Sequence, residues 1–198
     1  MITLNILQTL KDIDITLLMS INGANNSFFD AVMYTISNKF IWIPLYLLLL
    51  WLSWKLYGKQ ALWVIVAIIL SVVLADLVSV HLFKNVFQRY RPCHNIDLQG
   101  LLHLVNDKCG GKFGFISSHA CNTAAVATSA IIFFGKKHKW LIVVMALYAL
   151  LNSYSRVYLG VHFPSDVLAG MIVGILLGMG ISIIVIRVKR YFVKNNIP

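Results

Sequence analysis

LIVVMALYALLNSYSRVYLGVHFPSDVLAGMIVGILLGMGISIIVI, residues 141–186, is two apolar stretches joined by a short polar break. The run of twenty residues at 167–186 carries no charge. At about 1.5 Å per residue it can cross a hydrocarbon core about 30 Å thick. The break at 155–166 holds Arg156, His162 and Asp166. Such side chains are costly beside lipid unless they are paired or used.

Working outward, 59% of the 198 residues are hydrophobic and the mean hydropathy is +0.79. Average globular chains are about half apolar, so this is an integral membrane protein, long enough for one domain over 1–198. The expected fold is all-α: five spanning helices over 31–55, 61–90, 119–135, 139–156 and 165–189. Lys39 and Pro44 are points where the first could break. Gly170, Gly174 and Gly178, four apart on the fifth, would let another helix approach closely. The N-terminal segment MITLNILQTLKDIDITLLMSING has Lys11, Asp12 and Asp14 in its middle and no uninterrupted apolar core, so it does not read as a signal peptide. Ile6, Leu7, Leu10, Ile13, Leu17 and Leu18 recur at helical spacing, which suits an amphipathic helix lying in the membrane interface.

Seventeen Lys and Arg oppose seven acidic residues, for a net charge of +10. Nucleic acid is not the expected partner, because lysines flanking membrane helices explain much of the excess. Lys55, Lys59, Lys136, Lys137, Lys139, Arg187, Lys189, Arg190 and Lys194 all fall on one side, which the positive-inside rule makes cytoplasmic. Lys84, Arg89, Arg91, Lys108, Lys112 and Arg156 fall on the other side, where topology does not account for them. A bound anion would.

Three segments on that side carry chemistry. In KNVFQRYRP, 84–92, Lys84 and Arg91 are seven apart and would share a helix face, with Pro92 stopping the helix. Alone, two such cations could simply snorkel. In ISSH, 116–119, Ser117 or Ser118 can cap a helix whose free N–H groups attract an anion, with His119 in the first turn. In the third, Asp166 near the Pro164 turn can fix the tautomer of His162 and leave its other nitrogen free. His119, His162 and Asp166 are also metal-ligand types, but Lys84, Arg91 and Arg156 would repel a divalent ion. Neither a metal nor a cofactor is expected, and an oxyanion is the better guest.

K-x6-R-P at 84–92, S-x-H at 117–119 and S-R-x5-H-x3-D at 155–166 together resemble the type-2 phosphatidic acid phosphatase superfamily, whose signature is K-x6-R-P, P-S-G-H and S-R-x5-H-x3-D. The first and third parts match in full. In the second, Ile116 stands for the proline and Ser118 for the glycine, while Ser117 and His119 match.

The resemblance implies a metal-independent phosphatase of a lipid phosphate or diphosphate. His162 would form a phosphohistidine, Asp166 would orient it and His119 would protonate the leaving oxygen. Lys84, Arg91, Arg156 and Ser117, with the backbone near Ser118, would hold the phosphoryl oxygens. The implied setting is the inner membrane, with the site facing the periplasm or outside. Undecaprenyl diphosphate is the first-choice substrate, with lipid A or phosphatidylglycerol phosphate the alternative. A non-catalytic lipid binder or transporter would need no nucleophile. Soluble vanadate-dependent haloperoxidases share the signature, but this chain is too hydrophobic and short for those.

Three features remain. Cys93 and Cys109, sixteen apart in the outer connection, are expected to form a disulfide. Cys121 reads as a packing residue. Asp76, inside a membrane helix, needs a partner.

Overall fold

Asn26 starts the first recognisable cap: its side chain accepts from the Phe29 N–H at 3.0 Å. It divides helix α1, Ile2–Gly23, from α2, Ser27–Ile36. Asn38 caps a single turn, Lys39–Trp42, by accepting from the Phe40 N–H at 3.0 Å, and α3, Ile43–Tyr57, follows. The helix expected over 31–55 is therefore α2, a turn and α3. Pro44 does not break α3 but sits in its first turn, where its missing N–H costs nothing. Gly58, at φ +51, turns the chain into α4, Ala61–Leu77. This continues as a π-helical stretch, Val78–Lys84, and the one-turn α5, Asn85–Phe87. The remaining helices are α6, Ser118–Phe134, α7, Lys139–Tyr158, and α8, Pro164–Lys194.

This computed structural model describes residues 2–194, without the side chains of residues 2–5 and Leu7. Among the described residues there is no strand, only an isolated bridge between Tyr90 and Phe113. Lys39–Phe87, Lys139–Tyr158 and Pro164–Lys194 are long and apolar enough to cross a membrane. The first contains both α3 and α4, and α6 is a shorter apolar helix. The protein is a multi-pass helical membrane bundle.

Helix α6 is the axis, packed against α4, α7 and α8. Lipid tails are as apolar as leucine, so close packing rather than escape from water holds such helices together. Alanines 120, 124, 125, 127 and 130 on α6 are all buried, and the glycine stripe of α8 lies against the first three. A Cβ on Gly174 would sit 2.2 Å from the Cys121 carbonyl oxygen, so α8 could not approach with any side chain there. Cys121 is free and buried. Buried polar groups tie the bundle further: Ser71 and Ser129 hydroxyls meet at 3.0 Å, and Tyr46 and Tyr148 hydroxyls at 2.8 Å. At one end Lys137 and Lys189 both lie over the Tyr57 ring, so the basic ends of α3, α6 and α8 come together.

Helix α1 is two-faced in an unexpected way. Ile6, Leu10, Ile13 and Leu17 form an exposed stripe, whereas Leu18 is buried; the Leu7 side chain lies outside the described residues. The buried stripe is Asp14, Leu18 and Asn22, four apart, and it faces the protein.

Candidate active site

Lys84 and Arg91 do not share a helix face. Gln88 adopts left-handed geometry, φ +47, and ends the helix at Phe87. Arg91, preceding proline, is extended at φ −65, ψ 156. The two cations still converge, because 89–91 lies against 112–114: the Arg91 N–H donates to Lys112 O at 3.1 Å and the Gly114 N–H to Arg89 O at 2.8 Å. A Cβ on Gly114 would fall 3.0 Å from Asp166 Oδ2 and 3.1 Å from Arg91 Cγ, so glycine lets this segment close over both. Gly110 backs the Arg91 guanidinium. Cys93 and Cys109 are disulfide-bonded, with Cα atoms 5.9 Å apart, bracketing that contact. His94 lies beside them, but the disulfide leaves no thiolate to hold a metal there.

The π-helical stretch brings Lys84 to α6, where its Nζ donates to Ser118 Oγ at 2.5 Å; Ser79 Oγ meets the same hydroxyl at 2.7 Å. Ser118, not Ser117, thus presents its side chain to Lys84. Ser117 is fully buried as the α6 cap, its Oγ facing the Ala120 N–H at 3.5 Å. His119 is exposed and lines a cavity with Ser118. Arg156, at the end of α7, donates from Nη1 to Ser37 Oγ.

His162 is 1% exposed, and Arg91 Nη1 lies 3.1 Å from its Nε2. An arginine can only donate, so Nε2 is the acceptor and the ring proton belongs on Nδ1, 3.4 Å from Asp166 Oδ2. Burial holds the His162 imidazole well below the usual histidine range, and Arg91, Arg156 and Lys84 push it lower. A neutral ring whose unprotonated Nε2 faces Arg91 has the chemistry that a nucleophile beside a bound oxyanion requires.

Asp166 joins all three segments. Its Oδ1 accepts from Arg89 Nη1 at 2.8 Å, its Oδ2 from the Phe163 N–H at 3.1 Å, and its backbone carbonyl from the Ser117 N–H at 2.9 Å. Sequence reasoning missed what stands behind it. Arg89 Nη2 donates to Asp14 Oδ2 at 2.6 Å, and the guanidinium lies 4.1 Å from the Phe163 ring centroid. Asp14 also accepts from the Ser165 N–H at 2.8 Å and its hydroxyl at 2.5 Å. A carboxylate on the same stripe as Leu18 and Asn22 was the available signal, though nothing local connects it to Arg89, 75 residues away. Of the six cations that topology does not account for, Lys84, Arg91 and Arg156 are the ones whose charge acts on His162. Arg89 pairs with carboxylates, Lys108 donates to the Tyr34 hydroxyl, and Lys112 lies over Tyr90 and Phe113. Asp76 finds Asn122, whose Nδ2 donates to its Oδ1 at 3.2 Å.

The sequence pattern of the PAP2 superfamily matches residues 60–190. The chain is 38% identical over 170 residues to a lipid A 4'-phosphatase of Bacteroides thetaiotaomicron, covering 85% of this chain and 75% of the relative. It is 30% identical over 136 residues to an undecaprenyl-diphosphatase of Sulfolobus acidocaldarius, covering 69% of this chain and 59% of that one. The fold is similar to that of a transmembrane PAP2-type phosphatidylglycerolphosphate phosphatase from Bacillus subtilis, with a TM-score of 0.67 and 24% identity over 92% of this chain and 89% of that one. With three cations around a buried imidazole and this sequence match, the chain belongs to the PAP2 superfamily and is a phosphatase.

Proposed function

We propose that the protein hydrolyses a lipid-linked phosphate through a phosphohistidine on His162, at the non-cytoplasmic face of the inner membrane, the whole chain acting as one domain. The observation that carries this is Asp166: one buried carboxylate holds the three motif segments together and faces His162. In this reading Lys84, Arg91, Arg156, Ser118 and the N-terminal backbone of α6 bind the phosphoryl oxygens, and Ser117 shapes that turn. His162 Nε2 attacks phosphorus as the bond to the leaving oxygen breaks, and His119 donates a proton to that oxygen. Water, deprotonated by His119, then attacks the phosphohistidine; the P–N bond breaks and phosphate leaves. Charge developing on the equatorial oxygens meets donors already in place.

The preferred substrate is a glycolipid phosphate of the lipid A kind, supported by the Bacteroides relative. Undecaprenyl diphosphate is the second reading, supported by the Sulfolobus relative. The test is phosphate release by purified protein in detergent from lipid A, undecaprenyl diphosphate and phosphatidylglycerol phosphate. His162→Ala should abolish release while leaving lipid-phosphate binding intact, and a chelator should change nothing. Release that survives His162→Ala, or that stops with chelator, would overturn the reading.

A further inference from the structure

Beside the phosphate cluster a cavity of about 730 Å³ runs between α3, α4, α6 and α7. Most of its wall is apolar, with Leu49, Ile68, Val72 and Val126 suiting a lipid tail, but its head end carries Asp76 and Asn122. A carboxylate in a membrane helix is costly and marks function by default. Asp76 is exposed to the cavity, not buried in the bundle.

The hydrogen bonding there is incomplete. Asp76 Oδ1 accepts from Asn122 Nδ2, but Asp76 Oδ2 receives no hydrogen bond among the described residues. Asn122 Oδ1 is buried and also without a partner. Two acceptors therefore await donors from something that enters the cavity. Asn122 follows His119 by three residues, so amide and imidazole lie on adjacent turns of one helix face, and both line the cavity.

We infer that Asp76 and Asn122 form a subsite for an uncharged leaving group rich in hydroxyl or amide donors, such as a sugar, and that Asp76 disfavours a leaving group that is itself a phosphate. This rests on the proposed role of His119 as proton donor to the leaving oxygen. The atoms next to that oxygen then lie within reach of Asn122 and Asp76. Sugar hydroxyls and amide N–H groups satisfy both open acceptors. A phosphate offers acceptors and negative charge, which a carboxylate repels. Two cations compete for an anionic group: Lys39, which lines the cavity with its ammonium 5.3 Å from the Phe40 ring centroid, and Lys84, whose Nζ donates to the cavity-lining Ser118 Oγ.

The experiment compares kcat/KM of the full-length protein in detergent on three probes: a glucosamine-phosphate glycolipid, phosphatidylglycerol phosphate and farnesyl diphosphate. Asp76→Asn, nearly isosteric, should lower the glycolipid-to-diphosphate ratio about 10- to 100-fold, as expected for a hydrogen bond to a charged group. Phosphatidylglycerol phosphate, whose leaving group offers a glycerol hydroxyl but carries a phosphodiester charge further along, should fall between. Asn122→Ala should move the ratio in the same direction and carries the test if Asp76→Asn does not fold. Equal losses on all three probes, an unchanged ratio, or a ratio that responds to Lys39→Gln but not to Asp76→Asn would overturn the subsite alone. A wild type that releases phosphate from none of the probes would overturn the phosphatase reading and the subsite with it.

Discussion

Replacing Arg89 by Gln removes the one cation that, among the described residues, pairs with both Asp14 and Asp166, while keeping much of the side chain's bulk. The carboxylate side chains are 7% and 0% exposed, so each loses a charged partner that water cannot fully replace. Breaking a fully buried ion pair costs about 3–5 kcal/mol. Arg89 is itself 30% exposed, so solvent screens part of the effect and about 1–3 kcal/mol is the working figure. At about 1.4 kcal/mol per tenfold, kcat should fall roughly 10- to 100-fold if the loss reaches His162 through Asp166. KM and inhibition by inorganic phosphate should hardly move, because Lys84, Arg91 and Arg156 remain. Asp14→Asn keeps the acceptor for the Ser165 N–H but removes the charge facing Arg89, and should give a smaller loss of the same kind. In the double variant Asp14→Asn should add almost nothing to Arg89→Gln, because Asp14 acts through Arg89. Steady-state phosphate release with the four proteins measures this directly. A loss confined to KM, or single effects that simply add, would refute the relay from α1 to Asp166.

Arg91→Lys and Arg156→Lys keep charge but lose the planar fork, and each should lower kcat/KM about 10- to 100-fold, whereas Lys136→Gln and Lys137→Gln at the far end should leave it unchanged. Reducing Cys93–Cys109 frees a loop of about 15 residues, worth about 3 kcal/mol of stability in the chain-entropy model; Tm should drop and KM rise as the segment behind Arg91 loosens. Intact-mass analysis after alkylation, with and without reductant, checks the bond. Gly174→Ala puts a methyl 2.2 Å from the Cys121 carbonyl and must push α8 from α6, costing about 1–3 kcal/mol, read as a lower Tm in detergent.

What was legible in the sequence was local. A membrane forces apolar residues into long helical runs, so α6, α7 and α8 stand within a few residues of where hydropathy puts them. The span 155–166 places Arg156, His162 and Asp166 within two adjoining helix ends; alone they read equally as interface charges pairing with one another, and the other two segments are what make them a site. Arg91 reaches the site by a different route from the helix face its spacing suggests, because a left-handed Gln88 and Pro92 end the helix and a loop pairing returns the chain. Periodicity cannot report such a pairing. Asp14 with Arg89, and Asp76 with Asn122, are partners across 75 and 46 residues, set by how whole helices dock. The exchange of Ser118 for Ser117 as the hydroxyl facing Lys84 turns on where α6 begins, since the residue that caps a helix points its oxygen back into the turn.

The most direct measurement is rapid acid-free quenching of the enzyme during turnover of a lipid labelled with radioactive phosphate, followed by peptide mapping. Label should appear on the peptide carrying His162, be lost in acid but not in alkali, and be absent from His162→Ala. Turnover at the wild-type rate with label on another residue, or on none under single-turnover conditions that resolve the chemical step, would contradict a nucleophilic His162.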